Sequence, residues 1–203
     1  MKIICIGRNY AMHAKELNNP VPAEPVVFMK PDSAILQSDK PFFIPDFTND
    51  VHHELEIVIK INKVGKHIQK KFAQKYYSEL TVGIDFTARD LQSKLKQKGL
   101  PWEKAKAFDG SAPLGKFMNV SDFESIENID FKLEKNGEIV QTGNTSDMLF
   151  SVDTIIENVS KYFTLKIGDL IYTGTPAGVG PVAIGDNLKA YIGDTLLLST
   201  HIK

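Results

Sequence analysis

Two glutamates lie two positions apart within residues 51–61, a segment with a regular apolar pattern. Leucine or isoleucine stands at every second position, at Leu55, Ile57, Ile59 and Ile61. The alternation predicts a half-buried β-strand with one apolar face. Side chains two positions apart share a strand face, so Glu54 and Glu56 are expected to project together, about 6.5 to 7 Å apart along the chain.

Carboxylates at this spacing could bind a hard divalent cation. Each of two carboxylates so close together raises the free energy needed to ionise the other, unless a positive group lies between them. Divalent cations of the magnesium type prefer carboxylate oxygen to nitrogen or sulfur. The strand alone also allows a simpler interpretation, in which both glutamates face water and Lys60 screens their charge.

A histidine and a glutamate three positions apart form a second candidate pair. A short helical stretch is predicted to follow Tyr10, to run through Leu17 and to stop at residues 18–20. His13 and Glu16 are therefore neighbours on a helix surface. They could be an exposed pair of small energetic importance, or a histidine base oriented by a carboxylate.

A further acid, Asp85, stands near the end of the predicted strand 80–86. Thr87 is predicted to be the N-cap of the helix that follows this strand. Arg89 and Gln92 would then lie on one face of that helix, just beyond the acid.

A glycine-rich loop spans residues 173–181. Such a loop can direct backbone N–H groups at an anion, or it can be a structural turn. It lacks the Gly-Lys-Ser/Thr ending of a phosphate-binding loop, and no helical pattern follows it. The loop therefore does not predict a nucleoside-triphosphate site.

Other elements are predicted from apolar spacing and turn residues. They are strands at Lys2–Ile6 and 26–29, a helix at 72–79, a hairpin turn at Asn136-Gly137 and a helix capped by Ser151. Lys104 and Lys106 alternate in a short segment, and from this spacing alone they are expected to be surface residues.

The composition is that of a globular protein. The chain has 203 residues, 42% hydrophobic and 24% charged, enough for a single domain over 1–203. A net charge of -1 provides no basic field for nucleic acid or an anionic membrane. No apolar run reaches the length of a membrane span or secretory signal. Cys5 is the only cysteine, which precludes an internal disulfide and favours a reducing, cytoplasmic location.

Several of these segments together resemble one known family. They are GRNYAMH at 7–13, HHELE at 52–56, GIDFTARDLQ at 83–92, GLPWEKAK at 99–106 and GDLIYTGTP at 168–176. In this order they resemble the fumarylacetoacetate hydrolase family, and within it the short, single-domain acylpyruvases and oxaloacetate decarboxylases. The resemblance spans nearly the whole chain.

The resemblance implies a fold and a set of site residues. The implied fold is α+β and β-rich, a mixed β-roll with short flanking helices, a mobile lid helix within about 8–20, and a homodimeric assembly. The implied ligands of Mg²⁺ or Mn²⁺ are Glu54, Glu56 and Asp85. The implied catalytic residues are His13, Glu16 and Lys106. The implied substrate contacts are Arg8, Lys30, Arg89, Gln92 and Thr175.

The implied reaction is metal-dependent cleavage of a C–C bond in a small 2,4-dioxo acid. An acylpyruvate would give pyruvate and a carboxylic acid, and oxaloacetate would be decarboxylated at the same site. One alternative is an isomerase, decarboxylase or hydratase acting on intermediates of aromatic degradation such as 2-hydroxyhepta-2,4-diene-1,7-dioate. A more distant alternative is a metabolite-binding protein without catalytic activity.

Overall fold

The computed structural model describes residues 1–16 and 20–203 of the chain. Its strands in chain order are β1 (Lys2–Gly7), β2 (Val26–Pro31), β3 (Ile35–Gln37), β4 (Val51–His53), β5 (Leu55–Ile61), β6 (Tyr77–Ile84), β7 (Thr87–Ala88), β8 (Ala112–Leu114), β9 (Met118–Asn119), β10 (Asp130–Lys135), β11 (Glu138–Asn144), β12 (Leu170–Tyr172), β13 (Gly180–Pro181), β14 (Asn187–Ile192) and β15 (Thr195–His201). Its α-helices are α1 (Ala11–Glu16), α2 (Arg89–Gln97), α3 (Glu103–Lys106) and α4 (Val152–Tyr162). Short 3-10 helices lie at Asp32–Ala34, Lys70–Tyr76, Val120–Asp122 and Thr145–Asp147.

The main sheet is mixed and has the order β2-β1-β12-β5-β6-β8-β3, with β9 paired to β6. Strands β1 and β12 are parallel, as are β3 and β8, whereas β5 is antiparallel to both of its neighbours. A smaller sheet has the order β11-β10-β14-β15, and a third has the order β13-β4-β7. The strand-rich α+β fold with short helices agrees with the sequence prediction.

The central strand β5 is buried on both faces, and this corrects the predicted half-buried strand. Ile57 and Ile59 belong to the large apolar core, which also contains side chains from the smaller sheet and from α4. Val58, on the opposite face, packs in a second apolar cluster with Tyr172. Glu56 is on this second face, so it is surrounded by protein instead of water.

Turn and cap predictions are confirmed where local chemistry determines the backbone. Asn136 and Gly137 have φ values of 57° and 87°, as a tight hairpin between β10 and β11 requires. Ser151 is the N-cap of α4, and its hydroxyl accepts a hydrogen bond from the N–H of Thr154. Helix α1 is described over Ala11–Glu16, and the predicted end of this helix at Leu17 lies outside the described residues.

Two local predictions are wrong. Residues 72–79 do not form one helix, since a 3-10 helix ends at Tyr76 and strand β6 begins at once. Thr87 lies in β7 opposite His52, and the N-cap of α2 is Ala88, without a side-chain hydrogen bond. Strand pairing with a distant segment therefore determined the conformation of Thr87, in place of its local capping preference.

Within the part of the chain that the structure describes, no helix has the length and apolar character needed to span a membrane.

Candidate metal centre

The pairing of β5 with β6 brings three carboxylates together. Leu55 lies opposite Ile84, and the N–H of Asp85 donates to the carbonyl of Glu54 over 2.8 Å. The acid that follows β6 is thereby placed beside the glutamate that precedes β5. One oxygen from each of Glu54, Glu56 and Asp85 lies within 4.8 Å of the other two, and all three residues are buried. The predicted cluster of these acids is therefore present in the fold.

Three cationic side chains surround two of these carboxylates. The Nζ of Lys106 lies 2.8 Å from Glu54 and 2.6 Å from Asp85. The Nζ of Lys30 lies 2.7 Å from the other oxygen of Asp85, and Arg89 reaches Glu54 at 2.5 Å. Lys106 is only 3% exposed, so the surface position expected from its spacing is wrong. It belongs to the centre, as the family resemblance implies.

Glu56 has a different environment from the other two acids. Within residues 1–16 and 20–203, no ion pair reaches its carboxylate, which accepts a hydrogen bond from the N–H of Gly174 over 2.7 Å. Burial raises the pKa of Glu56 well above its ordinary value, and repulsion by Asp85 and Glu54 raises it further. A cation placed beside Glu56 would remove this penalty.

The pKa values of Glu54 and Lys106 shift so that both groups stay charged. Burial opposes ionisation of Glu54, but Lys106 and Arg89 outweigh it and lower its pKa well below the ordinary range. Burial also opposes the charge on Lys106, yet Asp85 and Glu54 outweigh it and raise its pKa. The centre is thus a network of fixed charges in a water-poor environment.

The donor set fits a hard divalent cation. Carboxylate oxygens are the preferred ligands of Mg²⁺, Mn²⁺ and Ca²⁺, and three such ligands leave about three positions open on a six-coordinate ion. The environment of Glu56 supports a cation site, because Glu56 is a buried acid that has no direct ion pair with any described residue.

His13 and Glu16 form the predicted pair on α1. The Nδ1 of His13 lies 3.0 Å from one carboxylate oxygen of Glu16, and the N–H of Gly178 donates to the other oxygen over 3.0 Å. The glycine-rich loop thus directs one N–H at Glu16 and another, from Gly174, at Glu56. The sequence left open whether this loop binds an anion or is a structural turn. The two N–H groups donate to carboxylates of the candidate site, so the anionic groups that the loop contacts belong to the protein itself.

One narrow cleft connects most of these groups. It is lined by Ile6, Gly7, Arg8, His13, Phe28, Glu54, Glu56, Asp85, Arg89, Gln92, Lys96, Trp102, Lys106 and Thr175. Most of the candidate residues from the sequence therefore face one space. Lys30 does not line it, and lies behind Asp85 with its Nζ donating to both oxygens of Ser111.

Helix α2 presents a polar face to this cleft. Arg89 donates to the side-chain oxygen of Gln92 over 2.7 Å, which confirms that these residues share a face. Lys96, four positions after Gln92, lines the same cleft and was missed in the sequence. Its spacing of seven from Arg89 is the signal that could have found it.

Gln141 is a second residue that the sequence did not indicate. Its side-chain oxygen accepts from His53 Nδ1 over 2.8 Å and from the N–H of Leu55 over 3.0 Å. Its amide nitrogen donates to the hydroxyl of Thr175 and to the carbonyl of Pro176. Gln141 therefore joins the strand that carries the glutamates to the glycine-rich loop. His53 itself is buried.

The strand-rich fold and its buried carboxylate cluster define a protein of the fumarylacetoacetate hydrolase type. The family described as "Fumarylacetoacetate (FAA) hydrolase C-terminal" matches residues 2–202. The chain belongs to this family, as the sequence motifs indicated.

Characterised relatives share most of the chain. The oxaloacetate tautomerase YcgM of Escherichia coli is 43% identical over 188 residues, 92% of this chain and 86% of the relative. The mitochondrial oxaloacetate decarboxylase of Dictyostelium discoideum is 44% identical over 192 residues, 94% of this chain and 88% of the relative. The structure of fumarylpyruvate hydrolase from Pseudomonas aeruginosa, in complex with Mn²⁺ and pyruvate, has a TM-score of 0.94 and 34% identity, covering 100% of this chain and 89% of that one.

Proposed function

We propose that the protein is a divalent-metal-dependent enzyme that generates the enolate of a small 2-oxo acid, with acylpyruvates and oxaloacetate as substrates. One observation carries this proposal: three buried carboxylates with oxygens within 4.8 Å of one another share a cleft with a buried lysine and with His13, whose ring is held by Glu16. The relatives named above act, by their names, on oxaloacetate or fumarylpyruvate, which are small 2-oxo acids.

Glu54, Glu56 and Asp85 are the residues that would hold the cation, Mg²⁺ or Mn²⁺. When bound there, the cation supplies Lewis-acid stabilisation of negative charge on the carboxylate and keto oxygens of a 2-oxo acid. The other polar groups of the cleft orient the substrate. Arg89 and Arg8 are suited to pair with its carboxylate groups, and Gln92 and Thr175 to bond its oxygens. Lys30 positions Asp85 through their ion pair.

Hydrolysis of an acylpyruvate uses His13 as a general base. Glu16 holds the imidazole through Nδ1, so His13 can take a proton from a water that attacks the distal carbonyl carbon. The hydroxyl adds to that carbon and the C–C bond breaks, leaving a carboxylic acid. The electron pair of the broken bond passes into the enolate of pyruvate, near the ammonium group of Lys106, and protonation then gives pyruvate.

Oxaloacetate requires no attacking water at this site. Loss of CO₂ leaves the electron pair in the same pyruvate enolate, which the same charges stabilise. Tautomerisation is a second candidate reaction, favoured by the activity named for the E. coli relative. It requires only that a proton be moved between carbon and oxygen of oxaloacetate, and His13 is the base available for it.

The test is a substrate panel with and without metal. We expect Mg²⁺- or Mn²⁺-dependent release of pyruvate from acetylpyruvate, fumarylpyruvate or oxaloacetate, and loss of that activity in EDTA. Enol–keto conversion of oxaloacetate is followed by ultraviolet absorbance in the same samples. Turnover only of 2-hydroxyhepta-2,4-diene-1,7-dioate would favour the isomerase alternative. Metal and ligand binding without any turnover would favour the metabolite-binding alternative.

Three features of the whole protein belong to this proposal. We take residues 1–203 as one catalytic domain, with the lid at about 8–20, and the assembly as a homodimer. We place the protein in the cytoplasm, although the Dictyostelium relative is named as mitochondrial. Sedimentation measurements test the dimer, and cell fractionation tests the location.

A further inference from the structure

Asn9 is a fully buried polar residue between β1 and α1, and the proposed reaction leaves it without a role. Its side-chain amide bonds in both directions with the backbone of Phe150. Nδ2 donates to the carbonyl over 3.0 Å, and Oδ1 accepts from the N–H over 2.8 Å. The second proton of Nδ2 goes to the carbonyl of Thr173 over 2.7 Å. A carboxamide supplies two donors and an acceptor in one plane, and Asn9 uses all of them.

Thr173 is itself fixed to the strand that carries Glu56. Its N–H and its hydroxyl both donate to the carbonyl of Ile57, over 3.1 and 2.8 Å. The next residue, Gly174, donates to the carboxylate of Glu56. Through Thr173, Asn9 therefore connects the chain just before α1 to β5, next to the carboxylate cluster.

Gly174 allows the glycine-rich loop to come this close to Asn9. Its φ is 101°, in the region that favours glycine, and a Cβ at this position would lie 2.7 Å from the Cβ of Asn9. A side chain at Gly174 would therefore push the two segments apart. Their direct contact is a requirement of this backbone.

Helix α1 is attached to the loop on both sides of His13. Asn9 lies two positions before the first residue of the helix, and Glu16 accepts from the N–H of Gly178 over 3.0 Å. His13 lies between these attachments, and its ring lines the cleft. The position of the ring relative to the carboxylate cluster therefore depends on both of them.

We propose that Asn9 is a positioning residue for His13, because it fixes the start of α1 at the distance from the carboxylate cluster that proton transfer requires. The proposal rests on the proposed function, in which His13 is the base for acylpyruvate hydrolysis. Asn9 is not among the residues that line the cleft, so it acts through α1 and not by contact with the substrate. A misplacement of about 1 Å can lower the rate of a positioned reaction about 10²-fold. Loss of CO₂ from oxaloacetate needs no base and depends much less on Asn9.

A simpler role for Asn9 is to stabilise the fold by satisfying buried backbone groups. Ser160 provides the matched control for that role, because it is also fully buried and joins distant segments. Its hydroxyl accepts from the N–H of Ile68 over 2.9 Å and donates to the carbonyl of Glu157 over 3.2 Å, and it does not line the cleft. Both Asn9→Ala and Ser160→Ala should lower stability. Only Asn9→Ala should change the ratio of the two activities.

The experiment measures acetylpyruvate hydrolysis and oxaloacetate decarboxylation in saturating Mg²⁺. It compares wild type, Asn9→Ala, His13→Ala, the double variant and Ser160→Ala. We expect kcat for hydrolysis to fall about 10- to 100-fold in Asn9→Ala, and kcat for decarboxylation to fall less than about threefold. In the His13→Ala background, Asn9→Ala should lower the residual hydrolysis less than about twofold further, because the base that Asn9 positions is already gone. Ser160→Ala should keep the wild-type ratio of activities.

Hydrogen exchange adds a measurement that does not depend on turnover. The N–H of Ala14, in α1, donates to the carbonyl of Tyr10 over 3.0 Å. In Asn9→Ala the exchange rate of this amide should rise by a factor at least about ten times larger than that of amides in β14, because α1 is released locally.

Equal losses of both activities in Asn9→Ala would overturn the proposal, as would fully additive losses in the double variant or the same change of ratio in Ser160→Ala. If wild type turns over none of the substrates, the proposed reaction is wrong, and hydrogen exchange decides about Asn9. A selective rise at Ala14 would then support the attachment of α1 through Asn9. A rise no larger than that in β14 would overturn it.

Discussion

At the scale of single residues, Glu56 is the member of the carboxylate cluster that a bound cation would stabilise most. Glu54 and Asp85 are each paired with lysine or arginine, whereas among the described residues the Glu56 carboxylate has no ion pair and accepts a hydrogen bond from the N–H of Gly174. Its raised pKa expresses the cost of a buried negative charge near two others.

Glu56→Gln tests the metal centre with almost no change of volume. The amide cannot replace the charge of the carboxylate. The affinity for Mn²⁺ and the rate of pyruvate release from acetylpyruvate and from oxaloacetate should therefore each fall more than about a hundredfold. Calorimetric titration with Mn²⁺ and steady-state kinetics measure the two effects. Glu79→Gln, on the neighbouring strand β6 and paired at the surface with Lys60, is the control. Full activity of Glu56→Gln would remove Glu56 from the metal site.

His13→Ala separates the two proposed reactions. Attack by water requires a base, whereas loss of CO₂ from oxaloacetate does not. We therefore expect acetylpyruvate hydrolysis to fall by about 10² to 10⁴, and oxaloacetate decarboxylation to fall much less. His201→Ala removes an exposed histidine and should leave both rates unchanged. An equal loss of both activities in His13→Ala would contradict the role of His13 as the water-activating base.

At the scale of secondary-structure elements, the site depends on the contact between β5 and the glycine-rich loop. Gly174 donates to Glu56 from the loop, and Gln141 connects Leu55 of the strand to Thr175 of the loop. These bonds fix the distance between the carboxylates and the residue proposed to bind substrate oxygen. Gln141 is a positioning residue, since it does not line the cleft itself.

Gln141→Leu should damage both stability and activity. The substitution leaves the N–H groups of Leu55 and His53 without their acceptor, and each buried unsatisfied group costs about 1–3 kcal/mol. We expect the free energy of unfolding to fall by at least that amount, and kcat/KM to fall at least about tenfold as Thr175 shifts. Urea denaturation and kinetics measure these effects. Gln69→Leu, at an exposed position, should change neither quantity.

Elements determined by local chemistry were predictable from the sequence. The apolar alternation of β5, the Asn136-Gly137 turn and the Ser151 cap depend on residues close together in the chain, and all three are present. Thr87 was assigned wrongly because its partner His52 is distant in the sequence. The burial of both faces of β5 was not predicted. An alternating pattern indicates one apolar face, and the polar residue Glu56 on the other face suggested that this face was exposed to water.

The candidate site was also predictable only where its residues are close together in the chain. Glu54 with Glu56, and His13 with Glu16, were visible as spacings of two and three residues. The deep burial of Lys106 was not visible, because its partners lie 52 and 21 positions away. Gln141 lies 86 positions from Leu55, and an isolated glutamine in a strand gives no sign of such a contact.

At the scale of the whole molecule, we expect the carboxylate cluster to couple the free energy of unfolding to metal binding and to pH. In the metal-free protein the pKa of Glu56 is raised above its ordinary value of 4.5. Between 4.5 and the raised pKa, the folded state therefore keeps a proton that the unfolded chain has released. The contribution of this group to stability is complete below 4.5 and is lost as the pH rises through that window, by up to about 1.4 kcal/mol per pH unit.

Denaturation in EDTA at several pH values tests this coupling. The difference in unfolding free energy between wild type and Glu56→Gln should shift in favour of the variant as the pH rises above 4.5, because glutamine cannot ionise. Mn²⁺ at a hundredfold excess over its dissociation constant should stabilise wild type by about 2.7 kcal/mol and leave Glu56→Gln nearly unchanged. Glu79→Gln should respond to pH and Mn²⁺ as wild type does. A difference between wild type and Glu56→Gln that is independent of pH would show that Glu56 already carries its charge without a metal.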